Sequence, residues 1–153
     1  MLAARKKNLG FTLIELLVVI GILAVLLAIT LIAINPAKQF AQANNTKRQS
    51  DVSAILNAIN QYAVDHHGDI SAIGIPSSPS AAMVVGSGTG ELNFCPNIVP
   101  TYIAEMPVDP QDGSWTSCTD YTSGYTVIQS NTDHRITVTA PGAELGKVIT
   151  VTR

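Results

Sequence analysis

Residues 5–34 read RKKNLGFTLIELLVVIGILAVLLAITLIAI, and the rest of the chain is organised around this stretch. Three cations, Arg5 to Lys7, precede an almost unbroken apolar run from Phe11 to Ile34. At a helical rise of about 1.5 Å per residue this run would be about 36 Å long, whereas the hydrocarbon core of a bilayer is about 30 Å thick. The sequence therefore predicts a single membrane-spanning helix that begins close to the first residue.

Glu15 interrupts the apolar run. A carboxylate at mid-bilayer costs about 2.5–3.5 kcal/mol on insertion scales, and less near an interface. Two interpretations are open from the residues alone. Either Glu15 lies at the headgroup level and is solvated, or it has a charged partner inside the membrane.

The ten residues KKNLGFTLIE, from Lys6 to Glu15, resemble the processing site of type IV prepilins and type II secretion pseudopilins. The resemblance implies that a peptidase cleaves between Gly10 and Phe11 and then methylates the new N-terminal amine of Phe11. It also implies that Glu15 pairs with the N-terminal amine of a neighbouring subunit during assembly. A buried amine and a buried carboxylate are each unfavourable alone in lipid and much less so as a pair.

This resemblance divides the chain into three parts. Residues 1–10 are the expected cleaved leader, 11–35 the membrane and assembly half of a long helix, and 36–153 a pilin-like globular domain. Pro36 is expected to kink or melt the helix, because proline removes a helical hydrogen bond and pilin-like helices commonly carry a proline in this region. An alternative is that Asn35 caps a second helix with Pro36 at its first position.

Periodicity predicts an α+β fold for the globular domain, a long helix packed on a small antiparallel sheet of three or four strands. An amphipathic helix over residues 37–67 places Phe40, Val52, Ile55, Leu56, Ile59, Tyr62 and Ala63 on its buried stripe, and Arg48 on a polar face. Residues 68–90 are expected to form a loop with a short helical turn near 80–85. Residues 91–153 contain a turn-rich segment and three strand patterns, namely 124–129, 135–140 and 147–152.

Cys95 and Cys118 lie outside the apolar run. A metal pair and free thiols are two alternatives to a disulfide, but a metal site normally has four ligands with short spacings, and no CxxC is present. A disulfide is favoured, and it would place the C-terminal part outside the cytoplasm. The cationic leader agrees with this orientation, since cations remain on the cytoplasmic side.

Charge argues against nucleic acid as a default partner. The formal net charge is −2, and loss of the three leader cations would leave six Lys and Arg against eleven Asp and Glu. No catalytic constellation is found, so the chain is not expected to be an enzyme. The segment 107–110, PVDP, resembles one found in pseudopilins, some of which bind calcium nearby. Asp109, Asp112 and Asp120 are weak calcium candidates, and no other cofactor is expected.

The leading hypothesis is a structural subunit of a type IV pilus-like filament that polymerises with itself through its N-terminal helix. By resemblance its partners are a prepilin peptidase, an assembly platform and an assembly ATPase. One alternative is a type II secretion pseudopilin, and another is a minor pilin that acts in DNA uptake or adhesion. The expected location is the inner membrane of a bacterium, followed by an extracellular pilus or a periplasmic pseudopilus.

Overall fold

The structure is a computed structural model that describes residues 10–153 and forms two compact units, one up to Gln39 and one from Phe40 to Arg153. The expected leader therefore lies outside the described residues except for Gly10. Helix α1 spans Leu13–Ile34 and consists almost wholly of apolar residues. It ends at Asn35, which adopts a left-handed conformation with φ 48°. Asparagine is one of the few residues that enter this region readily, so Asn35 is a suitable helix stop.

Helix α2 spans Pro36–Asp65, with proline at its first position, where the missing N–H has no helical acceptor to lose. Its buried residues recur every three or four positions along one stripe, as an amphipathic helix requires. They are Ala41, Asn45, Arg48, Val52, Ile55, Leu56, Ala58, Ile59 and Tyr62. The helix ends two residues before the predicted boundary, in a turn through His67 and Gly68, both at positive φ.

Two expectations about α2 are wrong. Phe40 is largely exposed, because it lies twelve residues before Val52 and is thus about a third of a turn off the stripe. Arg48 is fully buried instead of lying on a polar face. Arg48 and Asn45 extend the stripe toward the start of the helix, at four and seven residues before Val52.

The sheet has five antiparallel strands, one or two more than the sequence predicted. They are β1 (Met83–Gly86), β2 (Ser114–Ser117), β3 (Asp120–Gln129), β4 (Ile136–Ala140) and β5 (Ile149–Thr152), and a short helix α3 (Cys95–Ile98) lies between β1 and β2. The spatial order is β1-β3-β4-β5, and β2 also pairs with β3. The α+β class is therefore confirmed. The predicted helical turn near 80–85 is wrong, since its second half belongs to β1, which pairs with β3.

Alternation along β3 and β4 gives the sheet one buried and one partly exposed face. The buried face contributes Tyr125, Val127 and Val138 to a core shared with the α2 stripe. On the other face, threonine hydroxyls pair across β4 and β5. Thr137 lies 2.8 Å from Thr152, and Thr139 lies 3.1 Å from Thr150, between hydroxyl oxygens.

A disulfide joins Cys95 and Cys118, the pair that the sequence favoured, with Cα atoms 5.3 Å apart. Cys95 is fully buried in α3, and Cys118 lies in the turn between β2 and β3. The bond therefore connects the turn-rich segment to the sheet. It closes a loop of 23 residues, which the chain-entropy account values at about 3 kcal/mol.

Candidate assembly site and polar cluster

Helix α1 has no buried residue. Among the described residues it is the one helix long and apolar enough to cross a membrane, and its 22 residues span about 33 Å. Its one mid-helix hydroxyl, on Thr30, donates to the carbonyl oxygen of Leu27 at 2.9 Å, so the polar group is satisfied inside the helix. The apolar surface of α1 must therefore be covered by lipid or by other chains.

The expected cleavage position lies just ahead of α1. Gly10, Phe11 and Thr12 are non-helical and exposed, and no other part of the described chain lies within 4 Å of the position that a Cβ on Gly10 would take. An open, non-helical segment is one that a peptidase can approach without unwinding a helix first. The geometry thus leaves the Gly10–Phe11 bond accessible.

Glu15 and Thr12 form a capping box at the start of α1. The Thr12 amide and hydroxyl donate to Oε2 of Glu15 at 2.8 and 2.7 Å, and the Glu15 amide donates to the Thr12 hydroxyl at 3.3 Å. Such a box satisfies backbone donors that the first helical turn leaves unpaired. This role was not predicted, although the spacing T-x-x-E is the usual signature of a capping box.

The capping box uses only one of the two carboxylate oxygens. Within residues 10–153, Oε1 of Glu15 accepts no hydrogen bond, whereas Oε2 accepts two. A carboxylate has lone pairs for about four hydrogen bonds, so Glu15 can begin its own helix and still accept from an external amine. Glu15 therefore has a role that neither interpretation from the sequence included, since it caps the start of its own helix.

A second set of polar residues, the Arg48 cluster, lies in the globular unit and consists of Asn45, Arg48, Asp109, Gln111 and Glu144. Asn45, Arg48 and Asp109 are buried, Glu144 is partly exposed and Gln111 is exposed. Arg48 donates to both oxygens of Asp109, from Nε at 2.6 Å and from Nη2 at 3.0 Å. The Arg48 and Asp109 side chains are 0% and 1% exposed. Nη1 and Nη2 also donate to Glu144 and Gln111, each at 2.8 Å. One arginine therefore joins α2 to two segments that follow it by about 60 and 95 residues.

Three glycines surround this ion pair. A Cβ on Gly113 would lie 2.5 Å from the Asp109 amide nitrogen, and one on Gly124 would lie 2.8 Å from Asp109 Cβ. A Cβ on Gly142 would lie 3.3 Å from Asp109 Oδ2. Gly124 also has φ +75°, a conformation that residues with side chains rarely adopt. Other residue types at 113 and 124 would displace Asp109 from Arg48.

Burial alone would raise the pKa of the Asp109 carboxyl. The hydrogen bonds from Arg48 and from the backbone amides of Gln111 and Asp112 outweigh this effect, so the pKa of Asp109 lies below its usual value. The same hydrogen bond to Asp109 raises the pKa of Arg48. Hydrogen bonds from Asn44 and then Arg48 lower the pKa of Glu144. The cluster is therefore charged at neutral pH and internally paired.

A smaller polar group adjoins the cluster. The Lys47 ammonium donates to Asp51 Oδ2 and to the carbonyl oxygen of Val108, both at 2.6 Å. The Tyr125 hydroxyl donates to the same Asp51 oxygen at 2.7 Å. Burial, followed by this hydrogen bond to Asp51, raises the pKa of Tyr125. These contacts connect α2 to β3 and to the segment around 108.

The calcium prediction gains no support from this arrangement. Both oxygens of Asp109 accept hydrogen bonds from Arg48, and Oδ1 also accepts from the amides of Gln111 and Asp112. Asp112 and Asp120 join Asp109 in no ligand cluster. Across residues 10–153, no group of three or more His, Cys, Asp or Glu side chains is placed to hold a metal ion.

A surface depression of about 540 Å³ lies beside the end of α2. Its polar lining consists of three carboxamides and four other side chains, namely Asn57, Asn60, Gln61, Asp65, Thr101, Tyr102 and Arg153. Arg153 donates to Asn57 Oδ1 at 3.1 Å.

Comparison with known proteins identifies one region of the chain. Residues 5–31 match the family described as the prokaryotic N-terminal methylation motif. The match includes Gly10, Phe11 and Glu15, and most of α1. No curated protein and no solved structure matches the chain. The chain therefore carries, at residues 5–31, the N-terminal methylation motif typical of type IV pilin and pseudopilin prepilins.

Proposed function

We propose that this chain is the structural subunit of a type IV pilus-like filament. In this proposal a prepilin peptidase cleaves it between Gly10 and Phe11 and methylates Phe11, and the mature chain polymerises through α1. The observation that carries the proposal is that α1 lies mostly within a methylation motif and buries none of its residues against the rest of the described chain. Lipid covers such a helix before assembly, and the α1 helices of other subunits cover it afterwards.

The proposed mechanism is assembly rather than catalysis. In lipid, association of helices depends on close packing and on satisfying polar groups, because neighbouring apolar side chains gain little over lipid tails. Cleavage creates an ammonium group on Phe11, and Oε1 of Glu15 accepts no other hydrogen bond in the described chain. An intersubunit bond between these groups would remove two unpaired charges from lipid at once and would set the axial step.

The capping box makes a sharp test of Glu15 available. Glu15→Gln keeps a side chain that can complete the box with Thr12 but removes the negative charge. Thr12→Ala has the opposite effect, because it removes the cap and keeps the charge. We expect E15Q to abolish filaments in the sheared surface fraction and T12A to retain them. Both variants should be recovered from membranes at comparable levels.

Intact mass, measured without reducing agent, accompanies this comparison. The parent chain should begin at N-methylated Phe11 and be two hydrogens lighter than its reduced form. Normal filaments from E15Q together with loss from T12A would show that Glu15 acts only as a helix cap. A processed parent chain confined to membranes would favour a pseudopilin over a pilus subunit. An uncleaved parent chain in cells that have the peptidase would overturn the proposal.

A further inference from the structure

The loop of residues 141–148 between β4 and β5, here called the Leu145 loop, presents two large apolar side chains to solvent. Leu145 is 50% exposed and Val148 is 85% exposed. Between residues 40 and 153, all of which the structure describes, only Phe40 and Val64 are further large apolar side chains with comparable exposure. The globular unit thus concentrates half of its exposed large apolar residues within four positions of one loop.

The loop is held in place by α2. The Asn45 side chain binds the backbone of Glu144 in both directions, since Oδ1 accepts from the Glu144 amide at 2.9 Å and Nδ2 donates to its carbonyl at 2.8 Å. The Glu144 carboxylate accepts from Arg48 at 2.8 Å and from Asn44 at 3.0 Å. The residue directly before Leu145 therefore has four hydrogen bonds to side chains of a rigid helix.

The backbone conformation of the loop also directs the Leu145 side chain toward solvent. Leu145 and Gly146 are both left-handed, with φ 58° and 67°. This conformation is ordinary for glycine but rare for leucine. The contacts of Glu144 keep Leu145 in a conformation that most sequences would avoid. An ordered apolar group loses little conformational entropy on docking, which favours binding.

The charges around the loop restrict what it can bind. The Glu144 carboxylate is compensated by Arg48, and Lys147 is exposed without an acidic partner among the described residues. The surface is thus apolar with one flanking cation. Helix α1 is the complementary surface within this protein, because its apolar residues are exposed and it carries no charge after Glu15. The residues that hold the loop, Asn44 to Arg48, lie in the part of α2 nearest in sequence to α1.

We propose that Leu145 and Val148 pack on the apolar surface of helix α1 of a second copy of this chain in the assembled filament. This inference rests on the proposed function. It adds to that function a surface of the globular unit that contacts α1 of a neighbouring subunit. The contact buries apolar atoms on both sides, which is the main favourable term in protein association. The Arg48 cluster then has a role in assembly, since it holds the loop that makes the contact.

A photo-crosslinking residue, p-benzoylphenylalanine, placed at position 148 of the full-length chain tests the contact in cells. The matched control has the same residue at position 64, where Val64 is 78% exposed at the end of α2. We expect position 148 to yield covalent dimers whose crosslinked peptide lies within residues 11–34. Position 64 should not reach that peptide. Crosslinks from 148 to lipid alone, or to the globular unit of the neighbour, would overturn the proposal.

A pair of mild substitutions tests whether the contact matters. Leu145→Asn suits the left-handed backbone, and Val148→Thr keeps the β-branched shape, so the double variant removes apolarity while preserving the fold. We expect L145N/V148T to lower sheared filament yield at least tenfold, with normal processing and normal Trp115 fluorescence. The control V64T should give the parent yield.

Two further outcomes are distinguishable. Parent-level filaments from L145N/V148T would overturn the contact while leaving the filament function intact. Absence of sheared filaments from the parent chain itself would overturn the proposed function, and this inference with it.

Discussion

Helices α1 and α2 are consecutive, yet they differ in opposite senses in composition and burial. Helix α1 is almost wholly apolar and buries none of its 22 residues. Helix α2 is rich in Asn, Gln and charged residues, and it buries nine of its 30, including an arginine. The comparison shows that burial depends on what a helix can contact. Arg48 is buried because Asp109 and Glu144 neutralise it, whereas the rest of the described chain buries no residue of α1.

The largest expected effect comes from breaking the buried ion pair. Arg48→Met should destabilise the globular unit by about 3–5 kcal/mol, because it leaves Asp109 charged and unpaired in the interior. Urea unfolding of the detergent-solubilised chain, followed by fluorescence of its single tryptophan Trp115, measures this effect. The double variant R48M/D109N should be less destabilised than the sum of R48M and D109N. Additive effects would show that the two side chains do not interact.

The same substitution placed in each helix sharpens the contrast. Ile59→Ala removes a fully buried side chain of α2 and should lower the unfolding free energy of the globular unit by about 2–5 kcal/mol. Ile22→Ala changes an exposed side chain of α1 and should leave the Trp115 transition unchanged. The measurement is the urea midpoint of each variant in the same detergent. A comparable loss from I22A would show that α1 has a partner within the same chain.

Acid should weaken the globular unit in a defined direction. Asp109 has a folded pKa below that of the unfolded chain, which is about 3.9. Its stabilising contribution is therefore present above about pH 4 and is lost as pH falls through the folded pKa. Glu144 acts in the same direction. Urea midpoints measured from pH 6 to pH 2 should fall less steeply for R48M/D109N than for the parent. Equal slopes would exclude Asp109 as a cause.

The smallest expected effect concerns Lys47, the neighbour of Arg48 in sequence. Its ammonium pairs with Asp51, but the Lys47 side chain is about half exposed. Lys47→Met should change stability by less than about 1 kcal/mol, because exposed ion pairs contribute little. The unfolding assay used for R48M gives the comparison directly. A loss as large as that of R48M would mean that the Val108 contact, rather than burial of charge, controls this region.

Much of the architecture could be predicted from local pattern. The apolar run predicted α1, and the spacing from Val52 onward predicted the buried stripe of α2. Alternation predicted most of β3, β4 and β5. Strands β1 and β2 were missed, because β1 lies in a stretch rich in Ser, Gly and Pro and β2 reads SWTS, with a single apolar residue. Both are strands because β3 supplies hydrogen-bonding partners. Such pairing is tertiary information.

The candidate site also has one part that the sequence predicted and one part that it did not. The processing residues and Glu15 were predicted from a short motif, whose match to a known family covers residues 5–31. The Arg48 cluster was not predicted, since Arg48 and Asp109 are 61 positions apart and nothing local indicates their pairing. Arg48 and Asn45 continue the heptad spacing of the buried stripe, so they were candidates for polar burial.

The threonine pairs on the outer face of the sheet affect how its cross-strand contacts respond to salt and pH. Hydroxyls of Thr137 and Thr152, and of Thr139 and Thr150, hold β4 and β5 together without any charge. Salt has no ion pair to screen there, and acid or base has no group to titrate. The buried pair of Arg48 and Asp109 resists salt for another reason, because burial shields both charges from ions in solution, but unlike the threonine pairs it is weakened by acid. The outer sheet face should therefore keep its cross-strand contacts through changes in ionic strength that would loosen a surface held by Lys and Glu.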